Sequence, residues 1–177
     1  MRCAWLWIVM AALGLRTVPF AQPVPVFSGT WSLDAARSSR TGAGEGGGRG
    51  TGQGDGGGLS IGPTPERVVI EQKEATLTID EHRGSAIARK VYRVDGTPVD
   101  NTIAAGRNAG RTSSSVTRWE GTSLVTTITV PVPGDPTRTA TYRETRRLDA
   151  DGALVVETTF AERQPRLAIY RKQQAPP

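Results

Sequence analysis

The sequence predicts an all-β domain built as an up-and-down antiparallel barrel of about 8–10 strands. Three observations carry this. From Glu66 onward β-branched and aromatic residues alternate with polar ones at a period of two, the spacing of a half-buried strand. Gly, Asp and Pro break these runs at about 10–12-residue intervals, the rhythm of consecutive hairpins. Beyond the first 21 residues no stretch repeats its apolar positions at the helical period.

Residues 1–21 read as a secretory signal peptide. Arg2 gives a positive start, Cys3 to Leu15 is an apolar run, and Ala21-Gln22 is the expected cut. The run is too short to span a bilayer, so no stable membrane span is expected after cleavage. The expected location is secreted or periplasmic. Cys3 is the one cysteine of the chain; once the leader is removed, disulfides and thiolate chemistry are excluded.

One domain is expected over 22–173, with a loose tail at 174–177. Pro23 and Pro25 suit an extended lead-in, because proline fixes φ and donates no backbone hydrogen bond. The first strand lies in Phe27-Ser28-Gly29-Thr30-Trp31-Ser32-Leu33-Asp34. A glycine residue is needed where a close crossing leaves no room for Cβ, which assigns Gly29 a structural role. Trp31 then fills the narrow end of the barrel. A flexible Gly-rich loop follows at 40–64; twelve of the 21 glycines of the chain sit in it. The tract lacks the flanking strand, helix start and Lys-Ser/Thr pair of a phosphate-binding loop.

Successive strands are read at 67–71, 76–80, 87–94, 99–103, 112–119, 124–130, 139–148, 154–160 and 167–171. Leu77 and Ile79 share one face, as do Leu124, Ile128 and Val130, then Tyr142 and Leu148, then Leu154, Val156 and Phe160. Pro131 and Pro133 are expected to end the strand before them. The strands are too short, and too rich in Thr and Arg, for an outer-membrane barrel with aromatic girdles.

The order of several short motifs resembles bacterial exported lipocalin-like domains of the calycin type. They are Phe27-Ser28-Gly29-Thr30-Trp31-Ser32-Leu33-Asp34, then Trp119-Glu120-Gly121-Thr122-Ser123-Leu124-Val125, then Leu148-Asp149-Ala150-Asp151-Gly152-Ala153-Leu154, and Tyr170-Arg171 at the end. The resemblance covers about residues 26–173 apart from the glycine tract. It implies a lipocalin-like barrel in which Arg171 packs across Trp31 at the closed end. It also implies a binding protein for a small apolar or amphiphilic molecule.

No catalytic set emerges from the residues, and the expected protein is not an enzyme. His82 is the only histidine, too few for a zinc triad or a proton relay. No metal and no cofactor are expected. Asp95, Glu120, Asp135, Asp149 and Asp151 fall at turns, where carboxylates bond local backbone. Net charge is +5, with no arginine run interleaved with aromatics, so no nucleic-acid partner is expected. Arg89, Arg93, Arg143, Arg146 and Arg147 read as an outward polar face. Tyr92, Trp119, Tyr142 and Phe160 are the candidates for lining a cavity, and they could equally fill a small barrel. The leading expectation is therefore a non-enzymatic binding barrel. The alternative is a filled barrel serving as an envelope protein-interaction or structural module, and a hydrolase comes third.

Overall fold

The computed structural model describes residues 23–39, 63–104, 108–160 and 164–174. The expected signal peptide, the glycine tract at 40–62 and the end of the tail lie outside the described residues. Ten antiparallel strands form one sheet: β1 (Gly29–Leu33), β2 (Arg67–Lys73), β3 (Thr76–Arg83), β4 (Ala86–Arg93), β5 (Val99–Thr102), β6 (Thr112–Glu120), β7 (Ser123–Val132), β8 (Asp135–Leu148), β9 (Leu154–Phe160) and β10 (Arg166–Lys172). The strand order is β4-β3-β2-β1-β10-β9-β8-β7-β6-β5. Every neighbour follows in sequence except where β1 meets β10, so the chain is an up-and-down meander curled into a nearly closed barrel. No helix occurs among the described residues, and none is long and apolar enough to cross a membrane.

The turns do what their residues allow. Arg83 pairs with Ala86 across the two-residue loop Gly84-Ser85, with Gly84 at φ 57°. Glu120 pairs with Ser123 across Gly121-Thr122, with Gly121 at φ 60°. Left-handed φ matches the strand twist in such tight loops and suits glycine. Lys73 pairs with Thr76 across Glu74-Ala75, and here Glu74 itself takes φ 46°.

One strand boundary differs from expectation. Pro131 does not stop β7, which runs to Val132 and ends directly before Pro133, and β8 begins at Asp135 rather than Thr139. Pro131 still faces Thr139, and the register shifts between Pro131 and Val132. Proline is tolerated at a bulge, where the ladder hydrogen bond it cannot donate is already missing.

The seam of the barrel lies between β4 and β5, which share no ladder. Near one end, Asp95 bridges to Arg118 on β6 and Gly96 N–H donates to Thr117 O at 2.9 Å. Midway, the Asn101 side chain joins β5 to the Val91 backbone on β4.

The interior is packed. Phe27, Trp31, Val68, Ile70, Leu77, Ile79, Tyr92, Leu124, Leu154, Ala168 and Tyr170 form its core. Phe27, just ahead of β1, stacks on Trp119 of β6 with ring centroids 5.6 Å apart. In the ring β1 and β6 are five strands apart, so this pair spans the lumen. Gln72 pins the segment there: its side-chain oxygen accepts from Phe27 N–H at 3.0 Å and its amide donates to Pro25 O at 3.3 Å.

Trp31 is fully buried, and its indole N–H donates to Phe27 O at 2.8 Å. The cation over its ring is Lys172, at 5.5 Å, and not the expected Arg171. The register explains the exchange: Trp31 faces Lys172, whereas Arg171 faces Ser32 and points outward. There Arg171 Nε donates to Asp34 at 2.7 Å. Gly29 sits at φ 140°, and a Cβ on it would come within 2.7 Å of Lys172 Cε. The close crossing at Gly29 is thus the lysine stem, not another backbone.

Candidate functional site

Alternation along the strands turns charged residues into the barrel as well as apolar ones. On β3, Glu81 follows Leu77 and Ile79 in phase; its strand partner is Ala88, and Ile79 faces Lys90 on β4. On β8, Glu144 and Arg146 lie in phase between Tyr142 and Leu148, opposite Thr126 and Leu124. Glu81, Glu144 and Arg146 are all buried.

These groups are satisfied within the lumen. Glu81 accepts from Lys90 Nζ and from Arg83 Nη2, each at 2.7 Å. Burial alone would raise the Glu81 carboxyl, but the charges of Lys90 and Arg83 outweigh it and hold the group below its ordinary value. Arg146 donates to Glu144 and to Thr126 Oγ1 at 3.2 Å, and its guanidinium lies 5.2 Å from the centre of the Tyr92 ring. Burial pushes the Tyr92 hydroxyl up from its usual range. Burial opposes the charge on Lys90, yet neighbours including Glu81 and Glu144 hold the ammonium well above its usual value.

Above this network the lumen opens as a cup. Its lining mixes Val68, Ile70, Ile79, Leu154, Val156 and Ala168 with Glu81, Arg83, Lys90, Glu144, Arg146 and Arg166; Val68 stands directly opposite Glu81 in the β2–β3 register, and Val156 opposite Arg146 between β8 and β9. The rim is Pro63-Thr64-Pro65, a strap held by side chains of the barrel. Arg83 Nε donates to Pro63 O at 2.9 Å, Arg166 Nη2 donates to Thr64 Oγ1, and Tyr170 Oη donates to Pro65 O at 3.2 Å. Two prolines make the strap stiff, since each locks φ. The cup offers about 60 Å³, room for several waters when one needs about 10–15 Å³.

The expected cavity residues are elsewhere. Tyr92 is buried under Arg146, Trp119 is half-buried against Phe27, and Tyr142 stacks on Phe160 with centroids 5.5 Å apart. None of the four lines the cup. Among the arginines read as an outward face, Arg89, Arg93 and Arg143 do face outward and pair with Asp80, Asp95 and Glu120. Arg146 does not; phase carries it inward to Glu144. The residues that sequence reasoning missed are Glu81, Arg83, Lys90, Glu144 and Arg166. For Glu144 and Arg146 the signal was present, as both stand between two residues already placed on the inner face.

His82 lies at the exposed end of β3, with its Nδ1 2.9 Å from Arg67 Nη2. Among the described residues no three His, Cys, Asp or Glu side chains gather to hold a metal ion. The aspartates at turns serve their own backbone: Asp149 accepts from the N–H groups of Asp151 and Ala153, and Asp135 from that of Thr137.

The arrangement sets apolar and charged side chains beside one another in one small cup. Such a surface suits a molecule with two unlike ends. No protein-family model matches the chain, and no curated protein matches it.

Proposed function

We propose that the protein is an exported, non-enzymatic, lipocalin-like barrel that binds a small amphiphilic molecule in the cup beneath the Pro63–Pro65 strap. The observation that supports this reading is the mixed lining: Val68, Ile70, Leu154 and Ala168 share one small space with Glu81, Lys90, Glu144 and Arg146. A wholly apolar ligand would strip water from the charged groups and return no hydrogen bonds, at a cost of several kcal/mol. An amphiphile can meet both kinds of group. The apolar part of the expectation is therefore narrowed to the amphiphilic one.

A second reading is favoured by the packed interior. Phe27 and Trp119 fill the lumen away from the cup, which suits a filled barrel that acts through its surface as an envelope protein-interaction module. Native mass spectrometry of protein purified from its own host separates the two. A co-purified amphiphile supports the binding barrel. Bare protein that also takes up no amphiphile when supplied with a panel of them overturns it in favour of the module.

A further inference from the structure

We propose that the Pro63–Pro65 strap sits in the seat of the ligand. Its two proline carbonyls occupy donors on Arg83 and Tyr170, and a ligand with acceptor oxygens of its own displaces the strap and takes those donors over. This deepens the binding-barrel reading and rests on it.

Space requires the displacement. The cup offers about 60 Å³ with the strap in place, whereas pockets that enclose a small molecule measure about 300–1,000 Å³. An amphiphile with a chain of several carbons enters once the strap has moved. The other end of the barrel gives no such room. There Phe27, fixed to Gln72 near the end of β2, is fully buried and stacks on Trp119, and its carbonyl accepts from the Trp31 indole.

The strap is fastened in a way that lets it leave. Arg83 Nε donates to Pro63 O at 2.9 Å, and Tyr170 Oη donates to Pro65 O at 3.2 Å. Arg166 adds a tie to the Thr64 hydroxyl. Neither proline has an N–H to give to a ladder. Regular pairing starts at the next residue, where Glu66 N–H donates to His82 O at 3.1 Å and Glu66 O accepts from Leu33 N–H at 2.8 Å. Glu66 is thus the hinge. Swinging about it parts side-chain bonds to strap oxygens and leaves the pairing of β1, β2 and β3 whole.

The donors keep their places when the strap is gone. Arg83 Nη2 remains on Glu81 Oε2 at 2.7 Å, and Glu81 is itself held by Lys90 Nζ at 2.7 Å. Nε therefore still faces the space that the Pro63 carbonyl has left. The Tyr170 ring is fixed in the core. A buried donor without an acceptor is costly, so the incoming molecule must bring acceptor oxygens, as a carboxylate or an ester does. An ammonium only donates and leaves both donors unmet. The hydrocarbon part can rest on Leu154, Val156 and Ala168, which line the same cup.

Isothermal titration calorimetry of the wild-type protein with hexanoate, methyl hexanoate and hexylamine tests the seat. Hexanoate or methyl hexanoate should bind at least about tenfold tighter than hexylamine. The two acceptors separate a charged oxygen pair from a neutral carbonyl. Tying the strap down tests the displacement. Cys3 is the one cysteine of the chain and lies in the expected leader, so Thr64→Cys with Arg166→Cys can be bridged by bis-maleimidoethane. Both proposed donors are left intact. The bridged protein should bind the better acceptor at least about tenfold more weakly than the same variant capped with N-ethylmaleimide. Should that pair not fold, Thr64→Cys alone reports: ligand should speed the reaction of its thiol with a soluble aromatic disulfide severalfold. Hexylamine bound as tightly as the acceptors, bridged and capped proteins of equal affinity, or a thiol no faster with ligand overturns the inference and leaves the binding barrel standing. Binding of none of the three probes also overturns it; the binding barrel falls as well only if protein from the host carries no amphiphile and takes up none from the panel.

Discussion

The side-chain amide of Asn101 stands beside Val91 as a peptide group would. Asn101 Oδ1 accepts from Val91 N–H at 2.8 Å, and Asn101 Nδ2 donates to Val91 O at 2.9 Å. The pair satisfies both backbone groups of one β4 residue at the place where the barrel has no ladder. An exposed row of such groups is a template for pairing with another chain, and here one carboxamide blunts its middle. Asn101→Ala should cost about 1–3 kcal/mol, because both Val91 groups lose their partner. Amide exchange at Val91 should speed up more than exchange at Ile79 on β3. Unchanged protection at Val91 would show that the seam is closed by something else.

Trp31 and its neighbours make an ordered series. Trp31→Ala should lower stability by about 3–5 kcal/mol, as truncation of a buried aromatic. Lys172→Ala should cost about 0.5–1 kcal/mol, the contribution of an exposed cation over an indole. Arg171→Ala removes a solvent-screened surface pair with Asp34 and should change stability least of the three. Urea unfolding of the three variants checks the order. A wild-type midpoint for Trp31→Ala would remove Trp31 from the core.

Glu74 is the one non-glycine residue with positive φ among the described residues, at 46°. A side chain in the left-handed region costs about 1–2 kcal/mol, which glycine avoids. Part of that is offset by the extra freedom glycine has when unfolded. Glu74→Gly should raise Tm by on the order of 3 °C, measured by calorimetry. A lower Tm would mean that Glu74 contributes through its side chain instead.

Glu81 gives the barrel an acid dependence. Its folded carboxyl is held below the ordinary value of 4.5 by Lys90 and Arg83 against the opposing effect of burial. The unfolded chain therefore takes up this proton first as pH falls. The stability it contributes is complete above about pH 4.5 and is lost as pH drops through the lower folded value. Glu81→Gln should destabilise the protein at pH 7 by about 3–5 kcal/mol, since two cations lose a buried partner. The gap between variant and wild type should shrink at about pH 3. A gap of equal size at both values would sink this account.

Periodicity carried the reading of the fold because the strand period is simple and the turn residues are specific. Leu77 and Ile79, or Leu124 and Ile128, announce their face by alternation, and the structure places them in the core. The same period also placed Glu144 and Arg146 inside, between Tyr142 and Leu148, but their charge argued for an outward face. Burial of a charge needs a partner, and for Arg146 that partner stands two residues away on the same strand. Lys90 was harder, because β4 carries apolar side chains on both faces: Ile87 is exposed while Tyr92 is buried. The strap was not legible at all. Pro63 and Pro65 join the end of a glycine tract to β2, and only tertiary contacts with Arg83, Arg166 and Tyr170 give them a place over the cup. The exchange of Arg171 for Lys172 has a similar cause. Pairing between the first and last strands sets that register, and a slip of one residue reverses every face.

That pairing sets the order of events when the chain folds. Trp31 meets Lys172, a partner 141 residues further along. Contacts of such long range slow folding, because the connecting chain must be confined before the contact repays it. During synthesis β1 leaves the ribosome long before β10 exists, so its edge facing β10 stays unpaired until β10 has been made. Ring closure comes last, and until then the polypeptide remains open to whatever cellular machinery handles it.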